Sequence, residues 1–65
     1  MKNRIRVLRA EKGWSQAQLA ERVHVSRNSI NAIENGRFDP PLPLGFRIAR
    51  AFGLAVEDVL DQTDA

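Results

Sequence analysis

The chain has 65 residues, no cysteine and one histidine, with 43% hydrophobic and 28% charged side chains and a formal net charge of +2. That length makes one small domain, 1–65, whose fold buries only about 60% of the unfolded surface; the missing cysteines exclude disulfides and thiolate metal sites, and the composition leaves no low-complexity tract. Charge is unevenly spread: residues 1–50 carry ten basic and four acidic side chains, a balance of +6, whereas residues 51–65 carry four acidic and none basic. The amino end, MKNRIRVLRAEKGW, is charged throughout and lacks the apolar core of a signal peptide, and no uncharged run could span a membrane. A cytoplasmic protein is therefore expected.

Residues 3–12 read as a helix with Ile5 and Leu8 inward, closed at Gly13. Ser15 can cap a second helix, and Gln18, three residues on, can return a hydrogen bond to the Ser15 backbone, which makes a capping box. Trp14 and Leu19 have the spacing of a hydrophobic staple, and Leu19, Ala20 and Val23 form one narrow apolar face. A second start follows eleven residues later, where Ser26 can cap and Val25 and Ile30 repeat the staple spacing. Ile30 and Ile33 give this third helix, Arg27 to Glu34, its buried face, and Asn35-Gly36 tolerates the left-handed conformation that ends it. The stretch 16–36 is thus two short helices joined by a tight turn, a geometry suited to placing a helix in DNA.

Arg27, Asn28, Ser29 and Asn31 fall on the first turns of the third helix, away from the isoleucines. Arginine pairs bidentately with guanine and asparagine with adenine, so these four are the predicted base-reading residues. An ordinary solvated helix face is the plainer alternative, and the flanking pattern argues against it. Gln16 lies at a helix start, where free N–H groups favour a phosphate, and Ser26 occupies the equivalent place on the next helix.

Three prolines among residues 38–43 make a loop, although Pro43 is tolerated in the first turn of a helix that runs to Phe52. Ile48, Ala49 and Phe52 form its inner stripe and Gly53 closes it. A last short helix is predicted from Glu57, with Glu57 and Asp58 favourably placed in its first turn. The acidic end, Glu57, Asp58, Asp61 and Asp64, is expected to face away from a polyanion. Val56, Val59 and Leu60 exceed what so small a core needs and are the predicted contact of a homodimer.

With Gln16, Ala20, Val25, Ser26, Ile30, Ile33 and the tripeptide Glu34-Asn35-Gly36 in place, the chain closely resembles the helix-turn-helix family of lambda-type phage repressors, Cro and the Xre-like bacterial regulators. IRVLRAEKGWSQAQLA resembles that family's first helix and entry to the motif, and RIARAFGLAVEDVL its fourth and fifth helices. The resemblance implies an all-α, five-helix, lambda-repressor-like fold with the motif at helices 2 and 3. It implies a small Ala20 that lets two helices approach, and a Gln16 that touches the DNA backbone and braces the start of the recognition helix. It further implies phosphate contacts at Asn35 and Arg37, and a buried pair of Arg9 and Glu34 tying the first helix to the end of the third. One position departs from the pattern, because the turn carries His24 where the family has glycine at positive φ; His is among the residues enriched there.

The expected function is sequence-specific binding of a near-palindromic double-stranded operator by a homodimeric transcriptional regulator, in the repressing sense. Catalysis is not expected, since there is no Gly-rich phosphate loop and no evident pair of convergent carboxylates. No metal or cofactor is expected either, because His24 has no second ligand of its kind. The rival is an antitoxin-like or adaptor module that keeps the fold and binds protein. Such a helix should present exposed aromatic or aliphatic anchors on that face, where this chain has only the polar Arg27, Asn28, Ser29 and Asn31.

Overall fold

Serine caps start both helices at the centre of the molecule. A computed structural model of the chain describes residues 2–61 and the side chains of residues 3–60. Its elements are β1 (Lys2–Asn3), α1 (Ile5–Lys12), α2 (Gln16–Arg22), α3 (Arg27–Glu34), α4 (Leu42–Phe52), α5 (Val56–Val59) and β2 (Leu60–Asp61). Ser15 Oγ accepts from the Gln18 amide at 3.0 Å while Gln18 Oε1 accepts from the Ser15 amide at 2.8 Å, completing the predicted capping box. Ser26 Oγ accepts from the Ser29 amide at 3.1 Å. Position N3 of α3 is itself a serine, so no side chain returns a bond to the Ser26 backbone and only half of a box forms.

The four longer helices end alike, with two amides folding back onto the last turn. In α3 the Gly36 amide reaches the Ile33 carbonyl at 3.1 Å and the Arg37 amide reaches Ala32 at 2.9 Å. α2 uses the same closure without glycine: His24, at φ 64°, donates to Glu21 at 3.4 Å and Val25 donates to Ala20 at 3.0 Å. The left-handed residue turns the chain sharply enough for Ser26 to begin α3 two residues later, which is why the motif is so short.

Every apolar residue assigned inward from the helical spacing of α1 to α4 is buried: Ile5, Leu8, Leu19, Ala20, Val23, Ile30, Ile33, Ile48, Ala49 and Phe52. Trp14 covers the edge of this core, its ring stacked on Phe52 with centroids 5.4 Å apart. Pro43 lies in the first turn of α4 as expected. Among the described residues no helix is long and apolar enough to cross a membrane.

The five helices are joined by one feature absent from the helical expectation. Lys2 and Asn3 pair antiparallel with Asp61 and Leu60, and the Arg4 amide extends the pairing to the Val59 carbonyl at 2.9 Å. Helix α1 consequently starts at Ile5 rather than residue 3, with Asn3 Oδ1 accepting from the Ile5 amide at 3.2 Å. The pairing also corrects the predicted dimer contact. It draws the end of α5 under the domain, so Val59 and Leu60 are core residues, 1% and 4% exposed, and Val56 is half-buried against them. Gly45 on α4 packs against the same residue: a Cβ at that position would make an ordinary contact with Leu60 Cδ1 at 3.5 Å. Helix α5 begins one residue earlier than expected, at Val56. Of the acidic end, the Asp61 side chain and Asp64 lie outside the described residues.

Candidate nucleic-acid interface

Helix α3 is held from behind at its last turn by a polar cluster centred on Glu34. Arg9 grips that carboxylate bidentately, Nε to Oε2 at 2.6 Å and Nη2 to Oε1 at 3.1 Å, and its third nitrogen donates to the Trp14 carbonyl at 2.9 Å. The Glu34 side chain has no exposed surface and that of Arg9 is 15% exposed, so this is the buried pair that the resemblance implied. Burial pushes the Glu34 carboxyl up, but the hydrogen bonds from Arg9 and Gln16 and the charges of Arg9 and Arg6 outweigh it and hold the group below its ordinary value. The hydrogen bond to Glu34 raises Arg9 in turn, against the opposing effect of burial. Both members are charged at neutral pH.

Two further side chains join the cluster without having been singled out in the sequence. Arg6 Nε lies 3.5 Å from Glu34 Oε1 and its Nη2 donates to Asn35 Oδ1 at 3.3 Å. Asn3 Nδ2 donates to the Ile33 carbonyl at 2.8 Å, a second bond to an acceptor that already takes the Gly36 amide at the end of α3. The spacing of Arg6 and Arg9, three apart on one helix face, was the available signal for the first. Nothing local marks the second, because Asn3 meets Ile33 only through the strand pairing.

Gln16 is half-buried and divides its amide between two partners: Nε2 donates to Glu34 Oε1 at 3.1 Å, and Oε1 receives Asn31 Nδ2 at 3.5 Å. It therefore braces the middle and end of α3 rather than its start, a correction to the implied role. The cause is the way α2 and α3 pack, which sets the first turn of α2 beside the last turn of α3. Asn31 also accepts from Asn35 Nδ2 at 3.2 Å through its Oδ1. Gln16, Asn31, Asn35 and Arg6 thus form one hydrogen-bonded row along the outer edge of the motif, ending at Arg37, which is exposed and has no side-chain partner among the described residues.

The first turn of α3 differs. Arg27 and Asn28 are exposed and make no side-chain hydrogen bond or ion pair among the described residues. Ser29, predicted to read bases, is half-buried, with its hydroxyl 3.1 Å from that of Ser26. Both serines are thereby engaged in the cap, although each hydroxyl keeps a further lone pair. The structure brings Arg27, Asn28 and Asn31 together on one solvent-facing side, with Ser26 and Ser29 at its leading edge and Gln16, Asn35 and Arg37 along its flank.

A model of the helix-turn-helix family matches residues 5–59, which covers all five helices. The chain belongs to the helix-turn-helix family. An uncharacterized HTH-type transcriptional regulator of Methanocaldococcus jannaschii is 44% identical over 64 residues, 98% of this chain and 97% of that protein. The immunity repressor of Bacillus phage phi105 is 34% identical over 59 residues, 91% of this chain but only 41% of the repressor. Among solved structures, the hypothetical transcription factor NHTF from Neisseria superposes with a TM-score of 0.78 at 33% identity, covering 83% of this chain and 61% of its own. The chain thus matches nearly the whole archaeal regulator and about three-fifths of the Neisseria one. As a helix-turn-helix protein it is a DNA-binding transcriptional regulator, with the lambda-repressor-like fold that the sequence implied.

Proposed function

We propose that the chain is a single helix-turn-helix domain, acting in the cytoplasm, that sets α3 in the major groove and reads a near-palindromic operator as a homodimer, in the repressing sense. The observation that carries this reading is the division of α3. Its last turn is fixed by Arg9, Gln16, Arg6 and Asn3, whereas Arg27 and Asn28 on its first turn have no side-chain partner among the described residues. Polar side chains on a rigid support and without intramolecular bonds can exchange water for base edges at little cost in ordering. Asn31 joins them by releasing a 3.5 Å bond, while Gln16, Ser26, Asn35 and Arg37 border the same surface and supply phosphate contacts that fix its register. Ser29 contributes through its remaining lone pair.

For the second copy, the surface available is not Val59 and Leu60 but the outer side of α4 and the turn after it, where Leu42, Phe46 and Leu54 are 64%, 50% and 39% exposed. Phe46 and Leu54 border a recess of about 400 Å³ floored by Ala49, Gly53 and Val56, into which a partner's apolar side chain fits. A domain burying so little of its own chain gains stability from covering this face. Selection of bound fragments from random duplex DNA tests the reading directly. A recurrent two-fold symmetric sequence is expected; equal recovery of all sequences would refute specific reading. Sedimentation of the full chain with that operator should show two copies, and Phe46→Ser should halve the mass in free solution.

A further inference from the structure

At the opposite end of α2 from Gln16, a second set of basic side chains converges that the DNA-facing surface does not use. A recess of about 260 Å³ opens between the end of α2, the turn at His24 and the outer side of α4, and it is lined by Arg22, His24, Arg47, Arg50 and Ala51. Three guanidiniums and an imidazole share it, and among the described residues no carboxylate lines it. Two of the arginines are held in place. Arg22 lies over the Trp14 ring, 4.2 Å from its centroid, and Trp14 is itself stacked on Phe52. Arg47 donates Nε to the Val23 carbonyl at 3.0 Å, leaving both terminal nitrogens free for another acceptor.

A structural duty accounts for part of this. Cations near the last turn of α2 oppose the partial negative charge of its carbonyls, and Arg47 satisfies one carbonyl outright. One such cation suffices for that purpose. The Arg50 side chain has no hydrogen bond or ion pair among the described residues, so its guanidinium keeps all its donors available at the recess. We infer that the recess is an anion site for a phosphate group, built from Arg22, Arg47, Arg50 and His24 and separate from the surface of α3. The guanidinium fork matches phosphate oxygens in pairs, and an imidazole offers at least one N–H donor in either protonation state. Stacking on Trp14 fixes the plane of Arg22, and the Val23 bond fixes Arg47, so little ordering remains when the anion enters. Six residues of helix separate Arg22 from Gln16, about 9 Å at 1.5 Å per residue, and Gln16 faces Glu34 and Asn31 instead.

The phosphate can belong to a free phosphorylated compound or to DNA flanking the operator. Inorganic pyrophosphate titrated into the nitrogen-15-labelled full chain, at ionic strength held constant with chloride and without DNA, tests the site independently of operator reading. Saturable amide shifts confined to residues 22–25 and 47–51 are expected, with affinity lowered about tenfold or more in Arg50→Gln and in Arg22→Gln. Melting temperatures in chloride show that both variants remain folded; Arg50→Gln, which removes no internal contact, keeps the test valid if Arg22→Gln does not. Shifts that follow Arg27 and Arg37 equally, or an affinity that neither substitution lowers, would overturn the inference. In the second arm, operator duplexes with and without ten flanking base pairs are compared in salt titration. A slope made steeper by the flanks and restored by Arg50→Gln assigns the site to backbone phosphate, and equal slopes with pyrophosphate binding intact assign it to a free compound.

Discussion

The two ends of α3 are built on opposite plans. Its last turn is buried and crowded, with Glu34 receiving Arg9, Gln16 and Arg6 and with the Ile33 carbonyl taken by Asn3. Its first turn is open, capped by Ser26 alone and presenting Arg27 and Asn28 to solvent. A helix of eight residues has too few internal bonds to be stable in isolation, so its direction must be imposed by tertiary contacts. Concentrating those contacts at one end leaves the other free to present donors and acceptors. The difference separates stability from recognition along a single helix, and substitutions at the two ends should therefore fail in different assays.

Breaking the crowded end has the largest expected effect. Arg9→Ala leaves Glu34 buried without its bidentate partner and should cost about 3–5 kcal/mol, a large part of the stability of a domain this small. Urea denaturation measures it, and a loss below about 1 kcal/mol would show that Arg6 and Gln16 can replace Arg9. The same cluster sets the acid limit. A carboxyl whose folded-state pKa lies below its unfolded value stabilises the fold fully above the unfolded value, about 4.3 for glutamate, and loses that contribution as pH falls through the lower folded value. Stability should therefore decline in the range below about pH 4, and Glu34→Gln, already less stable at neutral pH, should show a flatter decline there.

Substitutions at the open end sharpen the contrast. Arg27→Ala and Asn28→Ala should each weaken operator binding by about 1–3 kcal/mol and relax preference at one base pair, with thermal stability unchanged because neither side chain has a partner to lose. Equal weakening on scrambled DNA would instead make them phosphate contacts. Arg37→Gln is the complementary case: affinity should fall on all sequences alike, and the slope of log affinity against log salt should become shallower by about one. At the open end's cap, Ser26→Ala should cost about 1 kcal/mol of stability by removing the side-chain acceptor of the Ser29 amide.

The same contrast describes what was legible in the sequence. Features carried by spacing within one helix were readable: the caps at Ser15 and Ser26, the inward faces of α1 to α4, and the polar leading turn of α3. The Arg9–Glu34 pair spans 25 residues and was readable only through the family resemblance, since no local pattern links the two positions. The pairing of Asn3 with Leu60 left no trace, because two-residue strands have no alternation to detect. That omission caused the misplacement of the dimer face. Val56, Val59 and Leu60 look surplus in a chain whose first residues are assumed helical, and two of them become core once those residues pair with the end of α5. Gln16 was recognised by type and place, but its bonds to Glu34 and Asn31 depend on how α2 and α3 cross, which sequence spacing does not specify.

The smallest predicted effect concerns the turn that joins the two helices, and its sign follows from two opposing terms. His24 adopts φ 64°, where a side chain with a Cβ costs roughly 1–2 kcal/mol, toward the low end for a histidine. Glycine removes that strain but gives the unfolded chain extra freedom, which costs roughly 0.5–1 kcal/mol. Strain relief wins by a narrow margin, so His24→Gly should stabilise the domain by about 0.5 kcal/mol and raise its melting temperature by about 2–4 °C. A lower melting temperature would mean that the imidazole makes a stabilising contribution beside Arg22 and Arg47 that outweighs the backbone cost. The experiment also probes the comparison between the two ends of α3. The turn enters the open end, and relieving it should leave the Glu34 cluster untouched, so the acid decline of the variant should run parallel to that of the original chain.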